Sequence, residues 1–292
     1  MKKTQPISIV LLLLTSMIWG SAFVAQSSAM DNVGPFTFLA VRNYIGSLVL
    51  LPLILYNRKK QAVKTDRKGL WKGGVFAGMM LFFASGSQQI GIQYTTVGKA
   101  GFLTALYVLF VPFISLIFFH KKLNRKIWFC VGLAVVGMAM LCLHGSLRLQ
   151  FGDSLELLCA LLFSGHILVL DFYTEKTDPV KLSCVQFFLC GIIATFAMFL
   201  FEQPSISGIL QAWLPICYAG IMSSGVGYTL QAVAQKKCDP TLASMVMCLE
   251  SVFSAIFGWL ILHQALSLRE GIGCIFMFVA IVLANLFANQ DS

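Results

Sequence analysis

The chain has 292 residues, of which 58% are hydrophobic and only 11% are charged, and its mean hydropathy is +0.83. Soluble domains carry roughly a quarter charged residues, because charged side chains cover their surface. The 21 Lys and Arg and 12 Asp and Glu are too few for that, so lipid is the expected solvent of most of the chain. The net charge of +9 does not indicate a nucleic-acid partner, because no soluble domain is available to display a basic patch.

Ten apolar stretches of the sequence are long enough to cross a membrane as helices, which requires roughly 20 mostly apolar residues each. The predicted fold class is therefore an all-α polytopic membrane protein with ten transmembrane helices. Strands are a poor alternative, because the segments of membrane barrels alternate in polarity and are about half as long. In chain order, the predicted spans cover residues 7–27, 36–56, 70–90, 99–119, 127–144, 154–172, 182–201, 210–231, 241–262 and 270–287.

The basic residues are distributed unequally between the two sides of the predicted bundle. Loops that are rich in Lys and Arg stay on the cytoplasmic side of a membrane. Alternate loops place 17 of the 21 basic residues on one side and three on the other, and Arg42 lies inside the second span. Both termini are therefore predicted to be cytoplasmic, in a multi-pass protein of the cytoplasmic membrane of the cell.

The two halves of the chain share a layout when the sequence is shifted by 143 residues. The third, fourth and fifth spans then fall on the eighth, ninth and tenth without a gap. The shift places Gln88 on Gln231 and Tyr107 on Glu250. Related halves of this kind are typical of secondary transporters.

The charges of one loop indicate that the second half is inverted in the membrane. Because each half has five spans, an odd number, the second copy must enter the membrane upside down. The connection that starts at His120 carries four basic residues, and its counterpart from His263 carries one, as expected for a loop that changed sides. The predicted units are two inverted five-helix repeats, residues 1–147 and 148–292, within one membrane unit.

Short motifs occur at defined places along the chain. They are Ile18-Trp19-Gly20-Ser21-Ala22-Phe23 in the first span, Arg42 in the second, Gly91–Thr96 and Gly98–Tyr107 around the start of the fourth, and Leu249-Glu250-Ser251-Val252 in the ninth. Over essentially the whole chain this set resembles the drug/metabolite transporter superfamily, specifically its EamA-like ten-helix permeases. Ser251 stands where the family usually has proline, and His263-Gln264 where Gly-Glu is common. The resemblance implies two inverted five-helix repeats, a central cavity and alternating access for small organic solutes.

Four side chains inside the predicted spans are candidates for substrate binding. An ionisable group in a membrane costs about 2.5–3.5 kcal/mol on insertion scales, so each one is a functional hypothesis. Glu250 lies about 13 Å along its span, near mid-membrane. The alternative roles for it are a proton carrier, a partner for a substrate ammonium group, and a structural carboxylate. Tyr107 is its counterpart in the first half of the chain. It is either a residue of the binding site or an ordinary packing residue. Trp19 is a candidate cavity wall, and His166 is either a proton relay or a donor between helices.

Four further polar residues are candidates for the rim or gate of the site. Counting along the helices places Gln88 and Gln231 near opposite faces of the membrane. Tyr228 lies three residues before Gln231 and shares its side of the helix. Arg42 lies about 9 Å inside the outer face, where it either snorkels outward or locks a contact between helices.

The sequence lacks the fingerprints of an ATPase, a dinucleotide site, a metal centre or a hydrolase, so we expect no enzyme activity, no cofactor and no metal. We expect a secondary transporter of a small organic metabolite: an amino acid, an amine or a drug-like solute. Its expected partners are that solute, the lipid bilayer and protons as a candidate coupling ion. A second copy of the chain, in a homodimer, is a further candidate partner. The alternatives are an intramembrane enzyme acting on lipid or peptide, an uncoupled channel, and a receptor that does not transport.

Overall fold

The protein folds into a bundle of helices. The computed structural model describes residues 5–57, 66–95, 97–120, 124–142, 150–262 and 267–290, and these ranges contain helices and turns without a β-strand. The helices are α1 (Pro6–Ala29), α2 (Pro35–Asn57), α3 (Arg67–Gly91), α4 (Val97–Ala105), α5 (Tyr107–Phe119), α6 (Arg125–Cys142), α7 (Phe151–Thr174), α8 (Pro179–Phe201), α9 (Ile206–Gln211), α10 (Trp213–Tyr218), a π-helix (Ala219–Tyr228), α11 (Thr229–Gln235), α12 (Pro240–Met247), α13 (Glu250–Leu262) and α14 (Leu268–Gln290). The all-helical prediction is confirmed for the described part of the chain.

Seven helical stretches among the described residues are long and apolar enough to cross a membrane. They are Pro6–Ala29, Pro35–Tyr56, Ala100–Phe119, Phe151–Thr174, Pro179–Phe201, Pro240–Phe257 and Leu268–Phe287. The other three predicted spans coincide with α3, with α6 and with the helical run from α9 to α11. Both α3 and α6 begin with basic residues, which lower their mean hydropathy. Seven such stretches indicate a polytopic membrane protein, and the count of ten stays a prediction.

Asp-Pro pairs mark the start of two of the helices. Pro179 begins α8 and Pro240 begins α12, and a proline at the first helical position loses no backbone hydrogen bond. The preceding aspartates cap the same helices, since Asp178 accepts from the N–H of Lys181 and Asp239 from that of Thr241. These local signals in the sequence therefore place the helix starts.

Two predicted spans each consist of two helices that meet at a tight turn. The span 99–119 is interrupted at Leu106, between α4 and α5, and the span 241–262 at Cys248 and Leu249, between α12 and α13. At both places a backbone N–H bonds a carbonyl three residues earlier, at 3.2 Å for Leu106 and 3.2 Å for Leu249, as in a 3₁₀ turn. The chain can therefore change direction inside the bundle at these two points.

Three helices of the first half have counterparts of the same length in the second half. Helices α1 and α7 have 24 residues each, α2 and α8 have 23 each, and α5 and α13 have 13 each. The first residues of α5 and α13, Tyr107 and Glu250, are 143 positions apart. The same shift superposes the ends of α5 on those of α13, and it superposes α1 on α7 and α2 on α8 to within two residues.

The π-helix receives side-chain hydrogen bonds from α1. Thr15 donates to the carbonyl of Gly227 at 3.2 Å, and the indole N–H of Trp19 donates to the carbonyl of Ser223 at 3.4 Å. A Cβ added to Gly227 would lie 2.8 Å from Trp19 Nε1, so a glycine at this position allows the indole to approach. The π-helix is consequently joined to α1 by the side chains of Thr15 and Trp19.

Much of the predicted charge pattern falls on parts of the chain outside the described residues. These parts are residues 1–4, 58–65, 121–123, 143–149 and 263–266, which include most of the basic loop before α3 and the loop that starts at His263. The orientation of the bundle and the inversion of its second half therefore stay predictions.

Candidate functional site

A cavity lies at the centre of the bundle, with an empty volume of about 420 Å³ that includes space open to the outside. Helices from both halves of the chain form its wall. The lining residues are Trp19, Phe23, Gln26, Arg42, Gln88, Thr104, Tyr107, Phe163, Ile167, Ser223, Tyr228, Gln231 and Glu250. Seven of the eight residues proposed from the sequence are among them, and His166 is not.

Tyr107 and Glu250 meet across the cavity. The Tyr107 hydroxyl donates to Glu250 Oε1 at 3.1 Å, and both side chains are buried. Each residue is the first of its helix, directly after the turn that interrupts its span. The two turns therefore bring into direct contact two residues that the predicted shift of 143 positions relates.

Aromatic rings form one side of the cavity. The rings of Trp19 and Tyr228 lie 4.6 Å apart between centroids, and Phe163 lies 6.4 Å from Tyr228. The indole N–H of Trp19 is bonded to the π-helix, so the ring is held in a fixed position. This wall presents aromatic faces to a ligand, and such faces attract both apolar and cationic groups.

Arg42 is buried and contacts two other elements of the bundle. Its Nε donates to Ser224 of the π-helix at 3.3 Å, its Nη1 donates to Gln26 of α1 at 3.2 Å, and the guanidinium lies 5.6 Å from the centroid of Phe38. Only 2% of the residue is exposed, so the side chain locks a helix contact and does not snorkel outward. Both hydrogen-bond partners are uncharged, and the cation faces the cavity.

Gln88 and Gln231 line the same cavity, although counting along the helices separates them. Gln88 donates through Nε2 to Thr104 Oγ1 at 3.2 Å. Gln231 Oε1 is buried and has no hydrogen-bond partner among the described residues, so it is an acceptor without a donor. Counting from the span ends gives only the depth of a residue along its own helix. The angles at which the helices cross determine which side chains line the same cavity.

His166 lies behind the cavity wall. Its Nε2 is 2.9 Å from Gln186 Oε1, and its ring stands edge-on to Tyr228 with 5.9 Å between centroids. The side chain is fully buried, and it contacts two rings that line the cavity, those of Tyr228 and Phe163. In this conformation, His166 therefore supports an aromatic wall residue.

The sequence does not single out a buried acid beside the cavity, Glu156 of α7. The hydroxyl of Thr104, which lines the cavity, donates to Glu156 Oε2 at 2.7 Å. Glu156 is fully buried. The one signal for Glu156 in the sequence is that an acidic residue lies within the predicted span 154–172. This signal is weak, because Glu156 is near the end of the span, where acidic residues commonly reach water.

Both halves of the chain match a known protein family. A family model described as the EamA-like transporter family matches residues 6–143 and 150–286. The chain belongs to the EamA-like transporter family. This confirms the resemblance that the motifs in the sequence indicate, and with it the identification of a transporter of the membrane.

Similar proteins share this relationship over most of their length. An uncharacterized transporter of Archaeoglobus fulgidus is 30% identical, with 94% of this chain and 84% of that protein covered. The uncharacterized transporter YoaV of Bacillus subtilis is 22% identical, with 92% and 93% covered. A solved crystal structure with 18% identity has a TM-score of 0.81 over 98% of this chain and 99% of that one, and it therefore shares the fold. The names of the family and of these relatives indicate that this EamA-like protein is a transporter rather than an enzyme.

Proposed function

We propose that this EamA-like protein is a secondary transporter that moves a small organic metabolite across the cytoplasmic membrane by alternating access. In this proposal ten spans form two inverted repeats, residues 1–147 and 148–292, with both termini in the cytoplasm. The hydrogen bond between Tyr107 and Glu250 is the observation that carries the proposal, because it joins corresponding residues of the two halves inside the cavity. Secondary transporters bind their substrates at such an interface between repeats.

A second pair of corresponding residues supports the same arrangement. Gln88 and Gln231 are also related by the shift of 143 residues, and both line the cavity with Tyr107 and Glu250. A site built from equivalent positions in two inverted halves can open to either side of the membrane when one half moves against the other. The matching helix lengths support the division into halves.

The chemistry of the lining favours a solute that carries an amino group. Glu250 offers a carboxylate for an ammonium group, and the faces of Trp19 and Tyr228 attract cations. Arg42 offers a guanidinium for a carboxylate on the same solute. An amino acid uses both charges, an amine uses Glu250 alone, and a drug-like cation uses Glu250 with the aromatic wall.

Glu250 is also the proposed coupling residue. A buried carboxylate is stabilised when a proton or a substrate ammonium group neutralises it, and it cannot hold both together. Exchange of one for the other at Glu250 would link the movement of a metabolite in one direction to the movement of a proton in the other.

A solute screen followed by flux measurement tests the proposal. Purified protein is heated with amino acids, amines and cationic drugs in turn, and a solute that binds the folded state raises the unfolding temperature with its concentration. Flux of each hit is then measured in liposomes with and without a pH gradient. Saturable flux supports the transporter, non-saturating flux indicates a channel, and binding without flux indicates a receptor.

The variant Glu250→Gln removes the proposed coupling group and keeps its size. We expect flux to fall at least tenfold and to lose its response to the pH gradient. The control is Glu175→Gln, which removes an exposed carboxylate at the end of α7, away from the cavity, and should leave both unchanged. Unchanged flux and pH response in Glu250→Gln would show that Glu250 is a structural carboxylate.

A further inference from the structure

Glu156 is a buried acid for which the proposed function has no role. It lies about 8 Å along α7 from Phe151, at 1.5 Å per residue, and none of it is exposed. Its Oε2 accepts the hydroxyl proton of Thr104 at 2.7 Å. Its Oε1 has no hydrogen-bond partner among the described residues. A carboxylate with a single donor in such a place is costly, and a bound proton removes that cost.

The packing around Glu156 Oε1 leaves room only for a very small ligand. A Cβ added to Gly91 of α3 would lie 2.9 Å from this oxygen, and one added to Gly152 of α7 would lie 2.7 Å from the carbonyl oxygen of Gly91. The backbones of α3 and α7 therefore touch beside the free oxygen. A proton fits in this space.

One hydroxyl group connects Glu156 to the cavity. Thr104 lines the cavity, donates to Glu156, and accepts from Gln88 Nε2 at 3.2 Å. Because a hydroxyl can turn, Thr104 can hold the carboxylate form of Glu156 and adjust when that form is protonated. Thr104 and Gln88 therefore connect Glu156 to the cavity by two hydrogen bonds.

A second set of polar groups leads from Glu156 to the end of α7. Asp153, one turn earlier and also buried, accepts from the Thr95 hydroxyl at 2.7 Å and from the backbone N–H of Gln150 at 2.8 Å. Thr95 is partly exposed and Gln150 is exposed. The charge pattern of the loops predicts that this end of α7 faces the outside of the cell. Asp153 and Thr95 thus lie between Glu156 and the end of α7 that is predicted to face the outside.

We propose that Glu156 is a proton-binding site of this transporter, which exchanges its proton with the outer side along Asp153 and Thr95 and is coupled to the cavity through Thr104. The proton resides on Oε1, and its release leaves a carboxylate that Thr104 holds through Oε2. The proton site stands on the geometry alone, whereas its use in a transport cycle rests on the proposed function.

Among the side chains that the structure describes, few other titratable groups lie near Glu156. Those in electrostatic range are Asp153 and Cys159 on the same helix and Glu250 of α13. Helices α3 and α4 contribute neutral Gln88 and Thr104 at this level. Lys99 stands at the start of α4 in the sequence, and its side chain lies outside the described residues, so the test includes it.

Infrared spectroscopy of the protein in liposomes during a pH titration tests the site, because a protonated carboxyl has a C=O stretching band that a carboxylate lacks. We expect Glu156→Gln to remove one such band and Glu250→Gln to leave it in place. Thr104→Val should shift the frequency of the same band, because it removes the hydrogen bond to Oε2. Glu175→Gln, which removes an exposed carboxylate, should leave the band unchanged.

Three results would overturn the proposal. The first is a spectrum of folded Glu156→Gln that keeps every protonated-carboxyl band of the parent protein. The second, which applies even where Glu156→Gln does not fold, is a Thr104→Val spectrum without any shifted band. The third is a band that appears only in Lys99→Gln, because a lysine and not a proton would then neutralise Glu156. A Glu156 band in a protein that transports none of the screened solutes would contradict the proposed function and leave the proton site intact.

Discussion

Glu202 connects the end of α8 to the beginning of α2 through one carboxylate. Its Oε1 accepts from the N–H of Phe36 at 2.6 Å, and its Oε2 accepts from the N–H of Thr37 at 2.9 Å and from the Thr37 hydroxyl at 2.6 Å. The first N–H groups of a helix have no partner within the helix, and an anion there is favoured. Glu202 therefore caps α2 from a distant part of the sequence.

Glu202→Gln should destabilise the protein by about 1–2 kcal/mol, because it removes the charge and turns an N–H group toward one of the two backbone donors. Thermal unfolding in detergent measures the change. Asp31→Asn, a charge removal at an exposed residue in the nearby turn after α1, serves as the control. Equal unfolding temperatures for Glu202→Gln and Asp31→Asn would mean that the cap contributes no stability.

Helices α1 and α13 pack closely enough at Gly20 to exclude a side chain. A Cβ at this position would lie 2.7 Å from the carbonyl oxygen of Glu250, 2.7 Å from Phe253 Cβ and 2.8 Å from the N–H nitrogen of Ser254. These atoms belong to the backbone or lie next to it, so they cannot move aside alone. The contact fixes α1 against the first turn of α13, which carries Glu250.

We expect Gly20→Ala to cost about 1–3 kcal/mol, since an extra methyl group in a packed contact forces the helices apart. Thermal unfolding again gives the magnitude, and ligand binding should weaken because Glu250 moves with α13. Gly132→Ala on α6 is the matched control, because no atom of the described part of the chain lies within 4 Å of the added Cβ there. A Gly20→Ala protein as stable as Gly132→Ala would show that the contact yields readily.

The elements that the sequence predicts well are those with local signals. The predicted spans 7–27 and 182–201 agree with α1 and α8 to within three residues, because long apolar runs and prolines mark their ends. The turn at Leu106 lies inside an apolar run without glycine or proline beside it, so no local signal marks it. The burial of Glu156 depends on the packing of α3 and α4 against α7, which a single sequence does not reveal.

At the scale of the whole molecule, the direction of insertion follows from charges in the loops. The excess of basic residues on one side predicts that both ends of the chain face the cytoplasm. The turn between α8 and α9, which contains Ser205, then faces the outside. In the proposed alternating-access cycle, the cavity would open to one side or the other according to how the two halves tilt.

Reporter fusions measure this orientation. Green fluorescent protein fused after Ser292 should fluoresce, because it folds in the cytoplasm, and alkaline phosphatase fused at that position should be inactive. Alkaline phosphatase inserted at Ser205 should be active, because the enzyme matures only outside the cytoplasm. The reverse pattern would contradict the predicted orientation, and equal activity at both positions would contradict the number of spans between them.

The bond between Tyr107 and Glu250 lies next to both turns that divide the fourth and ninth spans. A solute that binds Glu250 through Oε1 would compete with the Tyr107 hydroxyl for that oxygen. Its arrival would therefore detach α5 from α13. The contact would break directly after the two turns, where α5 can pivot relative to α4 and α13 relative to α12. Binding of the solute would then also break the contact between the two halves of the chain. A solute too small to displace Tyr107 would bind without being transported.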